Sequence, residues 1–196
     1  MADLDRDIYW SPWEDPGLEH LHLTVSPDGV EALGLILRMR EGRHFRCRYE
    51  LQTDPEWRLR SLTFAVMPAG SGGPPKRVEI ESDGQGNWRV DGERRADLAG
   101  CSDVDIQVSP FTNSLPIRRL GLAEGESAEI SAAYLWVPEL KVEADAQRYT
   151  RLEDDGAAGG RYRYDAVGDD FTAELPVDGD GLVMDYPDLF RRVWPL

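Results

Sequence analysis

The segment from Asp103 to Arg119 carries the residue types best suited to chemistry. Asp103 and Asp105 are two positions apart in an alternating apolar stretch, so both carboxylates lie on one face of a strand. Arg118 and Arg119 follow at the end of a short helical pattern, where a cation suits the helix dipole. These four residues could form an acid–base pair or a clamp for a polar head group. They could equally form a buried ion-pair cluster that anchors the helix.

Aromatic residues recur in many of the predicted strands. If the sheet curls, many of their side chains point inward, and a rolled sheet lined in this way can hold an apolar ligand. A packed core is the other interpretation of the same residues, and the sequence leaves both open. The set comprises Trp10, Trp57, Phe64, Trp88, Tyr134, Trp136, Tyr149, Tyr162, Tyr164, Phe171 and Tyr186.

Two of the three histidines, His20 and His22, lie on one face of a predicted strand. Two strand histidines can hold zinc if a neighbouring strand supplies a third ligand. Their face is opposite Leu21 and Leu23, which indicates exposure to solvent or to a polar groove. We predict neither a metal site nor a cofactor.

The charge balance narrows the class of partner. The chain has 196 residues, with 22 Lys and Arg against 37 Asp and Glu, which gives a net charge of −15. Such a chain is repelled by phosphate backbones, so nucleic acid is not an expected partner.

No apolar run reaches the length of a membrane-spanning helix. The N-terminus lacks a basic and apolar leader, which favours a cytoplasmic location.

Alternation of apolar and polar residues, broken by turn dipeptides, dominates the pattern and predicts an all-β fold. Examples are Leu21 to Val25, Leu33 to Met39 and Phe45 to Leu51. Short hairpin connections favour one antiparallel sheet whose strands follow sequence order. A possible N-cap at 112–114 and Gly121 delimit one short helix, the natural filler of a rolled sheet. We expect a single domain over residues 1–196.

Several segments between residues 101 and 187 resemble those of a bacterial glycolipid-binding family. The likeness runs through segments 101–106 and 109–120, Gln147-x-Tyr149, Tyr162-x-Tyr164 and segment 171–187. The resemblance implies a spiral β-roll, in which one long antiparallel sheet wraps around a single α-helix at about residues 113–121. It also implies dimers and a shape similar to that of periplasmic lipoprotein carriers. The resemblance carries over no catalytic residues to this sequence.

Three functions follow as hypotheses. The first is a lipid- or glycolipid-binding protein, with apolar tails inside the roll and polar residues near the head group. The second is an enzyme that acts on a sugar or lipid conjugate through Asp103 and Asp105. The third is a structural homodimer without a small ligand. For the first we predict ligand contacts from Asp103, Asp105, Asn113, Arg118, Arg119, Trp136, Tyr149, Tyr162 and Tyr164.

Overall fold

The computed structural model describes residues 4–40, 42–68, 74–153 and 159–196, and 59% of these described residues are in strands. The larger of two sheets has ten strands. These are β1 (Leu4–Pro12), β2 (Gly17–Ser26), β3 (Gly29–Arg40), β4 (Arg43–Thr53), β5 (Leu59–Pro68), β6 (Lys76–Ser82), β7 (Trp88–Val90), β8 (Glu93–Arg94), β14 (Asp185–Tyr186) and β15 (Phe190–Trp194). The smaller sheet has five: β9 (Asp103–Ile106), β10 (Ser127–Trp136), β11 (Lys141–Arg151), β12 (Arg161–Ala166) and β13 (Thr172–Pro176).

The mainly β architecture confirms the predicted fold class, but the expected single, sequentially ordered antiparallel sheet is wrong. The larger sheet runs β14-β15-β1-β2-β3-β4-β5-β6-β7-β8, so the last strand pairs with the first. The smaller runs β13-β12-β11-β10-β9, and its β9 and β10 are parallel. The chain between β9 and β10 contains the helix, and a long helical crossover lets successive strands pair in parallel.

The predicted helix is confirmed as α1 (Ser114–Leu120). A 3-10 turn over Pro110–Asn113 precedes it, and Ser109 rather than Asn113 supplies the capping oxygen, which accepts from the Phe111 amide at 3.3 Å. Gly121 ends the helix in the left-handed conformation at φ 54°, a geometry that glycine adopts without steric cost. Together the turn and α1 form one continuous helical segment of 11 residues.

The inner face of the larger sheet packs in one apolar cluster with the helical segment. Leu21, Phe64, Phe111, Leu115 and Leu135 all belong to this cluster, so residues of both sheets and of the helical segment share a core. The alternation in β2 and β4 predicts these inward positions correctly, since Leu21 to Val25 and Phe45 to Leu51 bury their apolar residues.

In β3 the same alternation places large apolar side chains outside. Leu33, Leu35 and Leu37 are 41%, 46% and 47% exposed, while Ala32 and Ile36, on the opposite face of the strand, are buried. The register explains the difference, because Leu33 lies opposite His22 of β2 and Glu50 of β4, both on the outer face. β3 therefore presents a stripe of leucines to solvent.

Candidate functional site

β9 carries both candidate aspartates, but the structure gives them different partners. Arg119 Nε donates to Asp103 Oδ1 at 3.0 Å, and a terminal guanidinium nitrogen of Arg119 donates to Oδ2 at 2.5 Å. Ser102 Oγ also donates to Asp103 Oδ2, at 2.6 Å. The Asp103 side chain is 2% exposed. Asp103 and Arg119 therefore form a bidentate, largely buried ion pair that ties the end of α1 to β9.

Asp105 is also buried, but its partners are neutral. Thr112 Oγ1 donates to Oδ1 at 2.9 Å, and Gln147 Nε2 of β11 donates to Oδ2 at 2.8 Å. Burial, together with the nearby charges of Asp145 and Asp103, raises the pKa of Asp105 to about 6, although the two hydrogen bonds lower it. Asp105 is thus a carboxyl group that can change protonation state near neutral pH.

The two arginines at the end of α1 do not act together. Arg119 turns to Asp103, whereas the guanidinium of Arg118 lies 5.2 Å from the centre of the Trp57 ring. Adjacent residues of a helix project about 100° apart, so one helical turn cannot direct both side chains to the same carboxylates. The structure therefore does not bring the four charged residues of segment 103–119 into one cluster.

A cavity of about 460 Å³ lies over the smaller sheet, between its strands and the segment around β14 and β15. We name it the aromatic–acidic cavity. Aromatic rings and carboxylates dominate its walls, and two ring-bearing side chains, Trp136 and Phe171, are 40% and 37% exposed. Its lining residues are Asp105, Ile106, Gln107, Ser109, Asn113, Tyr134, Trp136, Glu143, Ala144, Asp145, Tyr164, Ala166, Asp169, Phe171, Tyr186, Leu189 and Phe190.

Edge-to-face contacts fix the orientation of the aromatic wall. Tyr134 and Trp136 have ring centres 4.9 Å apart at an interplanar angle of 63°. Tyr164 meets Phe171 at 6.0 Å and 64°. Such geometry directs the positive edge of one ring to the negative face of the next and holds both rings in place. The cavity therefore presents fixed ring surfaces to whatever enters it.

Four of the nine predicted ligand residues line this cavity: Asp105, Asn113, Trp136 and Tyr164. Tyr149 lies outside the lining, where its hydroxyl donates to Asn113 Oδ1 at 3.0 Å and its ring meets Tyr164 at 5.5 Å. Tyr162 is placed elsewhere, beneath the guanidinium of Arg151 at 4.9 Å. The remaining predicted residues, Asp103, Arg118 and Arg119, do not line the cavity either.

Several lining residues fall outside the predicted set, above all Tyr134, Glu143, Asp145, Phe171 and Tyr186. A signal for two of them exists in the sequence. Glu143, Asp145 and Gln147 alternate along β11, which places them on one face of that strand. Tyr134, Phe171 and Tyr186 belong to the aromatic set identified in the sequence, although not to the predicted ligand residues. Asp169, in the turn after β12, has no such signal, because a turn brings it to the cavity only after the strands have paired.

The histidine pair has a carboxylate partner. His20 Nε2 lies 2.8 Å and His22 Nδ1 3.1 Å from Asp7 Oδ1, and all three side chains are more than one-third exposed. Hydrogen bonds from both histidines lower the pKa of Asp7. Within the described ranges, no group of three or more His, Cys, Asp or Glu has the arrangement of a metal site. No helix in those ranges is long and apolar enough to cross a membrane.

Fold and site together define a mainly β protein with an open cavity of aromatic and carboxylate side chains. The chain belongs to the family described as "Putative glycolipid-binding", whose model matches residues 7–192. It is similar to a DUF1089 family protein (PA1994) from Pseudomonas aeruginosa, with 40% identity, coverage of 90% of this chain and 92% of that one, and a TM-score of 0.76.

A beta-barrel-like protein of the DUF1849 domain family from Brucella abortus also matches. Its identity is 9%, its TM-score is 0.42, and the match covers 96% of this chain and 93% of that one. No curated protein matches the chain significantly.

Proposed function

We propose that the protein binds an amphiphile with a sugar head group, and that the head group enters the aromatic–acidic cavity. The observation that carries the proposal is the pairing of exposed ring surfaces, Trp136 and Phe171, with carboxylates in one open cavity. The family description supports the same class of ligand.

The lining offers what a sugar ring needs. A pyranose has apolar C–H faces, which pack on the negative faces of aromatic rings, and a rim of hydroxyls that donate hydrogen bonds. Asp145 and Asp169 supply acceptors at the wall, and the rings of Tyr134 and Trp136 supply flat surfaces. Ligand sites combine apolar walls with a few fixed polar groups in this way.

The tail lies outside the core in this proposal, unlike the interior position expected from the sequence. Phe111 and Leu115 already fill the inner side of the larger sheet. A groove of about 400 Å³ is lined by Leu18, Leu37 and Phe45 together with other residues. A smaller cavity shares the lining residue Phe45 with the groove and Trp136 with the main cavity. We propose that the alkyl chain lies along these neighbouring surfaces.

The geometry favours binding over acid–base chemistry by Asp103 and Asp105. Asp103 is held by Arg119 and Ser102 and does not line the cavity, so only Asp105 of that pair can meet a ligand. A pair of carboxylates that flanks a scissile bond needs both groups at the substrate.

We also propose that the protein forms a homodimer and that the larger sheet curves around α1 as a spiral roll, as the resemblance implies. Contiguous exposed apolar surface typically marks an interface, and the leucine stripe of β3 is such a surface. Its neighbours on β4 are Glu50 at one end, Arg48 in the middle and Arg46 at the other end. Stripes that meet antiparallel bring the Glu50 end of each copy to the Arg46 end of the other.

The test compares two detergents with the same alkyl chain, one with a maltose head and one with an oligoethylene glycol head. Calorimetry below the micelle concentration should show binding of the maltoside only. Trp136→Ala should weaken binding at least tenfold, while Trp194→Ala, which removes an exposed ring outside the cavity, should leave it unchanged. Absence of maltoside binding, or equal binding of both detergents, contradicts the proposal.

A further inference from the structure

We infer that the head group bound in the aromatic–acidic cavity carries a protonated amine, as an amino sugar does. The inference rests on the proposed function and specifies its ligand class. It comes from the charge of the lining and from the arrangement of rings around it.

The cavity lining is negative. Asp105 of β9, Glu143 and Asp145 of β11, and Asp169 of the turn after β12 all line it. No Lys or Arg is among its lining residues in the described part of the chain. Four carboxylates without a lining cation disfavour an anionic head group and favour a cation.

The carboxylates differ in how far they are already neutralised. Glu143 pairs with Lys141 at 2.7 Å on the rim, so its charge is partly balanced. Asp105 and Asp145 instead share one neutral donor, since Gln147 Nε2 lies 2.8 Å from an oxygen of the first and 3.0 Å from an oxygen of the second. The amide of Gln147 bridges the two acidic side chains but supplies no positive charge. An ammonium group of the ligand, placed beside Asp105 and Asp145, supplies that charge.

The aromatic wall fits the same cation. An ammonium is attracted to the face of an aromatic ring within about 6 Å, and Trp gives the strongest attraction. Tyr134, Trp136 and Phe171 line the cavity with the carboxylates. Arg38 does not line this cavity but lines a neighbouring one, and its guanidinium lies 4.9 Å from the centre of the Phe190 ring, which lines both spaces.

The experiment uses three octyl glycosides that share tail and ring and differ in charge. These are the glucoside, the 2-amino-2-deoxyglucoside and the glucuronide, titrated into the protein by calorimetry at pH 7 and below their micelle concentrations. The amino glycoside should bind at least tenfold more tightly than the glucoside, and the glucuronide more weakly than both. Added salt should reduce the advantage of the amino glycoside, because charge attraction is screened.

Asp145→Asn should remove most of the preference for the amine, so the affinity for the amino glycoside should fall more than the affinity for the glucoside. Asp28→Asn, at an exposed turn outside the cavity, is the matched control and should preserve the preference. Three results would overturn the inference but leave the proposed sugar binding intact. These are equal affinity for the glucoside and the amino glycoside, a preference that salt does not change, and tighter binding of the glucuronide. If none of the three glycosides binds, the proposed function fails with it.

Discussion

At the scale of single residues, the most unusual group is the carboxyl of Glu19, which points into the protein from β2. Tyr49 donates to its Oε1 at 2.7 Å and Ser109 donates to the same oxygen at 2.6 Å. Among the described residues, Oε2 has no hydrogen-bond partner. Burial raises the pKa of Glu19 to about 7. The two hydrogen bonds and the charge of Arg38 lower the pKa, but their effect is smaller than that of burial. The folded state therefore holds a proton that the unfolded chain releases.

This proton makes stability depend on pH. Between pH 4.5 and about 7 the folded state binds more protons than the unfolded state at Glu19, so the free energy of unfolding falls as pH rises. Each pKa unit corresponds to about 1.4 kcal/mol, which puts the total loss near 3 kcal/mol. Glu19→Gln should flatten this dependence, measured by urea unfolding at pH 5 and pH 8.

The contribution of Asp105, whose pKa is also raised, is present in both wild type and the Glu19 variant and cancels in the comparison. Glu31→Gln, on the exposed side of the neighbouring strand, should retain the pH dependence of the wild type. If the free energy of unfolding falls equally for Glu19→Gln and wild type between the two pH values, Glu19 is not protonated in the folded state.

The ion pair between Asp103 and Arg119 gives a second prediction at this scale. Arg119→Met leaves a buried carboxylate without its cation, which typically costs 3–5 kcal/mol, so we expect roughly that loss in chemical denaturation. Arg148→Met breaks an exposed pair with Glu129 and should cost less than about 1 kcal/mol. Similar small losses for both variants would show that the Asp103 pair does not stabilise the fold.

At the scale of elements, the packing of β3 against β4 depends on Gly34. It lies opposite Tyr49 in the register, and a Cβ atom at position 34 would be 1.9 Å from Tyr49 Cε1. The ring therefore lies over the bare backbone of β3 and reaches Glu19 on β2, to which its hydroxyl is bonded. A glycine within a strand often marks such a close approach.

Gly34→Ala should therefore destabilise the protein by about 2 kcal/mol or more, since the ring must move and its buried hydrogen bond with Glu19 is lost. Equilibrium unfolding measures the loss. In a Tyr49→Ala background the same Gly34→Ala change should cost nothing, because the clashing ring is gone. An equal cost in both backgrounds would assign it to the strand backbone instead.

At the scale of the whole molecule, the outer leucine stripe tests the proposed homodimer. Leu35→Glu places a charge in the middle of the stripe and should shift the protein to a monomer in light scattering at micromolar concentration. Val167→Glu changes an apolar residue of similar exposure in a turn of the smaller sheet and should preserve the dimer. A wild-type protein that is monomeric under these conditions contradicts the proposal.

The same scale shows how far sequence reasoning reached. The alternation in β2 and β4 and the boundaries of α1 are local patterns, and they predict strands, buried faces and the helix correctly. The order of strands is not local. The pairing of β15 with β1 joins residues from the two ends of the chain, and no pattern within either segment specifies it. The division into two sheets was missed for the same reason.

The candidate site divides in the same way. Asp105 and Trp136 each lie in a strand that the sequence pattern predicts. Asp145 and Phe171, which line the same cavity, come from other elements. The leucines of β3 show the limit most clearly. Alternation indicates that Leu33, Leu35 and Leu37 share a face, but only pairing with β2 and β4 decides that this face is outside.

By itself the sequence determined a mainly β chain, one helix at 114–120, a strongly acidic character and the family resemblance. These features depend on residue types and short spacings, which act within a few residues of each other. Tertiary structure alone decided that Asp103 belongs to Arg119, that Arg118 turns to Trp57, and that the rings and carboxylates of separate strands enclose one cavity. Those outcomes depend on which strands pair and in what register, and a shift of one residue would turn each side chain to the opposite face.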